Sequence, residues 1–136
     1  MPTPSLEILL RAAQFYAHNA HNLACGATFY QDHAALGDLY SAYEDAYDSV
    51  IERMIGSGNI PDLNAIQSAA AAYIATLPAI TDGAMAFAVL LNIEAGIQSL
   101  CLSETPQASL GTQNLLAQLA DDSEMRSYKI GQRLKA

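Results

Sequence analysis

The sequence predicts an all-α fold: a four-helix bundle with a short extra helix in the crossover between the second and third long helices. Apolar residues recur at three and four through most of the chain, which is the period of a helix with one buried face. No run of alternating residues reads as a strand. Loop chemistry is confined to a few short punctuations, chiefly Gly26, the 56–59 stretch Gly-Ser-Gly-Asn, and Pro78.

The first helix is expected over residues 4–24, where Leu6, Leu9, Leu10, Ala13, Tyr16, Ala17 and Ala20 share one face. Cys25, Gly26 and Ala27 form a tight connection. Thr28 followed by Gln31 matches a capping box, so the second helix starts at Phe29. It carries a stripe from His33 and Leu36 through Tyr40, Tyr43, Glu44, Tyr47, Asp48, Ile51 and Glu52 to Ile55, and stops at Gly56. Asp62 caps a third, short helix over residues 63–77, whose apolar edge includes Ile66, Ala70 and Ile74. That edge is expected to lie outside the bundle and to form a dimer contact. Pro78 ends it. Thr81 and Asp82 open a fourth helix, apolar almost all round, to about residue 102. Thr105 and Pro106 are expected to cap and start a fifth, to about residue 134.

At 136 residues the chain is one domain with room for a core. Its net charge of −8 argues against general nucleic-acid binding. Charge is unevenly placed: Asp32, Asp38, Glu44, Asp45, Asp48 and Glu52 are close together, and Arg126, Lys129, Arg133 and Lys135 crowd the C-terminal end. The basic group reads first as a last helical turn complementing its own dipole, and second as a small DNA- or partner-binding tail. Two cysteines, Cys25 and Cys101, make no disulfide framework, which points to a reducing cytoplasm. The N-terminal residues lack the basic and apolar regions of a signal peptide. The best apolar run, residues 83–91, is too short to span a membrane.

The chemistry is concentrated in His21, His33, Asp48 and Glu52. Imidazole nitrogens with carboxylate oxygens suit iron or zinc better than calcium. Asp48 and Glu52, at i and i+4, share a helix face with no cation one turn away on that face. Such a pair is destabilised by roughly 0.2–0.5 kcal/mol unless something neutralises it. Taken singly, each of the four also reads as packing or solvated surface. On one helix, His33 and Asp48 are about 22 Å apart at 1.5 Å per residue, too far to share an ion. Antiparallel pairing of two first-and-second-helix hairpins would bring His21 and His33 of one chain to Asp48 and Glu52 of the other, giving two equivalent sites per isologous dimer. His18 and Glu44, each one turn from a candidate ligand, are possible additions. Glu94 could be another, although a hydrogen-bonded pair with Gln98 is the plainer expectation.

The stretch 21–33, His-Asn-Leu-Ala-Cys-Gly-Ala-Thr-Phe-Tyr-Gln-Asp-His, resembles the His-Trp-Asn-x-x-Gly-x-x-Phe-x-x-x-His signature of the Dps miniferritins, a family of the ferritin-like superfamily. Residues 48–53, Asp-Ser-Val-Ile-Glu-Arg, resemble its Asp-x-x-x-Glu-Arg. The resemblance implies a ferritin-like bundle assembled as a homo-oligomer, a hollow dodecamer, with ferroxidase centres between two-fold-related subunits. It implies oxidation of Fe(II) by hydrogen peroxide or oxygen and storage of ferric mineral. Carried over, His21, Asp48 and Glu52 would hold the tighter iron and His33 would serve a second. Gly37 stands where the family usually has Asp, Asn22 where it has Trp, and Asn114 where an acid often lines the entry pore. The chain has no lysine-rich N-terminal tail, which argues against the usual DNA binding. The alternative expectation is a shell-forming or structural relative whose degraded centre holds one metal, such as zinc, without turnover.

Overall fold

The computed structural model describes residues 4–135, and within them the chain is all-helical. Five α-helices follow in order: α1 (Leu6–Leu23), α2 (Phe29–Gly56), α3 (Leu63–Ala75), α4 (Gly83–Glu104) and α5 (Leu110–Leu134).

The leucines and small residues of α1 bury one face against α2, and Tyr16 closes it with 2 % exposure. The expected stripe on α2 divides. Leu36, Tyr43, Tyr47 and Ile51 go inward, while Glu44, Asp48, Glu52 and Ile55 stay exposed. A helix shows only about a hundred degrees of its circumference to a core, and the stripe was wider than that.

The Thr28–Gln31 capping box does not form. The Thr28 hydroxyl instead donates to Asp32 Oδ2 at 2.7 Å. At the other end of α2 the chain leaves through a Schellman motif. Gly58 at φ +85° supplies the left-handed residue, its N–H donates to the Ile55 carbonyl, and the Asn59 N–H donates to that of Met54.

Asp62 caps α3 as expected, accepting from the Ala65 N–H at 3.0 Å. The apolar edge of α3 is not an open dimer face: Ile66 and Ala70 are buried against α1 of the same chain. Asp82 caps α4 by accepting from the Met85 N–H. The fifth helix begins later than expected. Thr105–Gln107 form a single 3-10 turn, and Ser109 is the N-cap of α5, accepting from the Thr112 N–H. Proline suits a first turn but gives the preceding carbonyls no N–H, so the chain resets before continuing.

The segment Gly83–Gln107 is, by length and composition, apolar enough to cross a membrane, longer than the run read from the sequence. In the fold, α4 is the central core helix, with Phe87, Leu90, Ile93, Ile97 and Cys101 buried.

Helix directions follow from contacts at the two ends. Asp32, near the start of α2, takes Arg133 from the end of α5 and lies against Gly83 at the start of α4. At the opposite end, the Arg53 guanidinium of α2 reaches Gly111 of α5. So α2 and α4 run the same way, α1 and α5 the other, and residues 57–82 travel the length of the bundle with α3 packed along α1.

One charged group is wholly internal. Glu94 has no exposed surface; it accepts from Tyr43 Oη–H at 2.6 Å, Ser123 Oγ–H at 2.7 Å and Arg126 Nε–H at 2.6 Å. It does not pair with Gln98, which donates to Ser123 and Ser127 instead. A buried carboxylate needs a cation and filled lone pairs, and this one has both.

Candidate metal centre

Gly26, at φ +86°, reverses the chain between α1 and α2, so that His21 near the end of α1 faces His33 near the start of α2. The two rings stack with centroids 3.7 Å apart and planes inclined by 23°. The hydrogen bonds are reciprocal. His21 Nδ1–H donates to the His33 carbonyl at 2.6 Å, and His33 Nδ1–H donates to the His21 carbonyl at 3.0 Å. A carbonyl only accepts, so each bond requires its Nδ1 to carry hydrogen. In the neutral rings both Nε2 atoms then keep their lone pairs, which is the arrangement that orients a metal-binding imidazole.

The pair belongs to a longer run of rings. Phe29 stacks on His33 at 4.9 Å, Tyr40 meets His21 edge-on at 5.3 Å, and His18 lies flat on Tyr40 at 4.1 Å. Tyr40 thus flanks the imidazole pair from half-buried surface. Tyr43 and Tyr47 are core residues. Gly37 matters to the packing: a Cβ there would sit 3.2 Å from His21 Cε1 and 3.3 Å from Nδ1.

Asp48 and Glu52 lie further along α2, both exposed, with Ile51 buried between them. Neither makes a side-chain hydrogen bond or ion pair among the described residues. No cluster of three or more His, Cys, Asp or Glu side chains able to hold an ion occurs among the described residues of one chain. The structure thus brings His21 and His33 together and leaves Asp48 and Glu52 apart from them. Of the possible additions, His18 is exposed and lies flat on the Tyr40 ring. Glu44 is exposed and accepts from Gln14 Nε2 at 2.9 Å, while Gln14 Oε1 accepts from Arg11 at 2.8 Å. Arg11 in turn lies 3.7 Å over the Tyr47 ring.

Sequence reading missed two ion pairs. Arg133 grips Asp32 through two hydrogen bonds, and that grip holds the Asp32 carboxyl below the usual carboxylate range. Arg126 serves Glu94; burial alone would lower its pKa, but the hydrogen bonds and charge of Glu94 outweigh it and leave the guanidinium more firmly protonated. Tyr43, buried and beside the Glu94 charge, is pushed well above the ordinary phenol value. Half of the C-terminal basic group is therefore committed to internal carboxylates rather than to the dipole of α5. No sequence spacing signals partners so far apart along the chain. The two cysteines are free: Cys25 is exposed and Cys101 buried. No protein-family model matches the chain, and no curated protein matches it either.

Proposed function

We propose that this chain is a ferroxidase and iron-storage protein of the ferritin-like class, resembling the Dps miniferritins, and that it works in the cytoplasm as a homo-oligomer built on two-fold contacts, with a closed dodecamer as its full form. The observation that carries this reading is the reciprocal His21–His33 pair. Two imidazoles are held by each other's backbone with both Nε2 lone pairs free, and no acid among the described residues of the same chain completes the site. The parallel course of α2 and α4, with one long crossover, supports the ferritin-like assignment, since that connection separates such bundles from simple up-and-down ones.

In this reading His21 and His33 of one subunit face Asp48 and Glu52 of its mate. The two carboxylates offset the charge of the substrate Fe(II), and the imidazoles fix its place. Two Fe(II) ions each give one electron to hydrogen peroxide; its O–O bond breaks, and two protons complete two waters. The net charge of −8 favours the gathering of ferric product inside a shell. The experiment is to add Fe(II) and peroxide to apo-protein and follow ferric absorbance. D48A combined with E52A should bring the rate close to the protein-free control, and an unchanged rate would end the proposal.

A second reading has one specific observation behind it. Gly37 puts no carboxylate beside the imidazoles, so the shell could hold one ion, such as zinc, without turnover. A tightly held ion with no ferric product would favour it.

A further inference from the structure

We infer that the groove between α2 and α5 is a binding site for a small amphipathic carboxylate, a molecule about the size of decanoate. It stands apart from the iron reading, since none of the candidate metal ligands lines the groove.

The two helices are clipped together at either end of the groove. Arg133 holds the end of α5 to Asp32 near the start of α2, and Arg53 near the end of α2 reaches Gly111 of α5. Between the clips α2 places the small side chains of Ala35 and Ala42 on either side of Leu39, and a cavity of about 340 Å³ remains. Phe87 of α4 and Ile130 of α5, both buried, complete its apolar floor. The α2 lining runs from Gln31 to Ala42, about 16 Å at 1.5 Å per residue. At ~30 Å³ for each water-sized group, the space takes about a dozen non-hydrogen atoms. That volume lies at the small end of the range for ligand pockets.

The α5 lip is rich in unused donors. Arg126, Lys129 and Arg133 follow one another at three and four positions, so they share a helix face. Each arginine commits Nε and Nη2 to its carboxylate, Glu94 or Asp32, and Nη1 has no partner among the described residues. Arg133 is about one-third exposed, so its unused edge is open to the groove. Lys129 is exposed and has no ion pair among the described residues.

Glu94 and Asp32 offset the two arginines. Lys129 is then the uncompensated cation of the groove, and Asp38, exposed on the α2 lip, its uncompensated anion. The two stand on opposite walls without pairing. A carboxylate is favoured over an amine because three α5 residues offer N–H donors, whereas Asp38 is the one acid of the groove without a cation. A carboxylate at Lys129 and the open edge of Arg133 receives charge-assisted hydrogen bonds. Its hydrocarbon then covers Leu39, Phe87 and Ile130 and leaves water. Asp38 repels the same head group from across the groove, so its charge opposes binding.

The test is calorimetric titration of the assembled protein with decanoate at neutral pH, below its micelle concentration. Wild type should bind one decanoate per chain, and decylamine should bind more weakly. K129M should weaken decanoate binding about three- to fivefold, as for a partly exposed charge pair. D38N should strengthen it about twofold by removing the opposing charge. A35L with A42L fills the groove and should abolish binding. Circular dichroism and native mass check that each variant is folded and assembled. K129M and D38N change only exposed side chains, so they carry the test should the filled variant fail to fold. No saturable decanoate binding, an unchanged affinity in K129M, or tighter binding of decylamine would each overturn the inference. Wild type that binds no decanoate, together with a filled variant that no longer assembles, would overturn it in favour of a second copy of the chain seated in the groove.

Discussion

Arg133 and Asp32 are joined by two nearly parallel hydrogen bonds, Nε to Oδ1 at 2.9 Å and Nη2 to Oδ2 at 3.0 Å, across 101 positions of sequence. The carboxylate is buried, the guanidinium about one-third exposed, and Thr28 supplies a further donor to Oδ2. The pair fastens the end of α5 to the start of α2, at the end of the bundle that carries the imidazoles.

D32A should therefore destabilise the fold by about 2 kcal/mol, less than for a fully buried pair because water screens Arg133. Its pH dependence has a definite sign. The folded-state pKa of Asp32 is depressed, so its stabilisation is present above the unfolded value of about 3.9 and is lost as pH falls through the lower folded value. Urea midpoints measured from neutral pH downward should converge for wild type and D32A in strong acid.

The Glu94 network makes a sharper demand. E94A leaves Arg126 and Tyr43 without their acceptor and should cost about 3–5 kcal/mol. Replacing Glu94 and Arg126 together by Leu and Met removes both charges and should recover most of that loss. Denaturant unfolding of E94L, R126M and the double variant gives the coupling directly.

Tyr47 offers the opposite case. Its ring is 3 % exposed, and its hydroxyl is buried without a hydrogen-bond partner among the described residues. Y47F removes an unsatisfied group and keeps the ring under Arg11, so it should be neutral or stabilising by up to about 1 kcal/mol. A clear fall in melting temperature would contradict this.

The thiols should separate by environment. Burial, with Glu104 adding to it, pushes Cys101 up to about 11, while Cys25 is exposed on the α1–α2 turn. Thiolate is the reactive form, so a disulfide reagent at neutral pH should modify one thiol per native chain and two in denaturant.

Local features were the legible part of this fold. The five helices, the caps at Asp62 and Asp82, and the facing of His21 and His33 all follow from periodicity and from residues a few positions apart. What escaped was set by distant partners or by competition. Thr28 makes no cap to the first-turn N–H groups, and its hydroxyl donates to Asp32 instead. Glu94 and Gln98 lie on one helix face but are drawn to α5. Arg133 looks like a dipole-facing terminal cation until α2 is placed beside it. The meaning of Gly37 appears only when the neighbouring ring is seen against its missing Cβ. The carboxylates Asp48 and Glu52 have no side-chain partner among the described residues.

The location of Arg126 and Arg133 in the last helix has a consequence for biosynthesis. A nascent chain that has released only α1 to α4 carries the Glu94 carboxylate and the Asp32 carboxylate with neither of their cations. Packing α4 into the core at that stage would bury a bare negative charge, which is strongly unfavourable. The emerging helices should therefore remain loosely collapsed until residues 126–133 clear the ribosome, and the chain should consolidate in one late step.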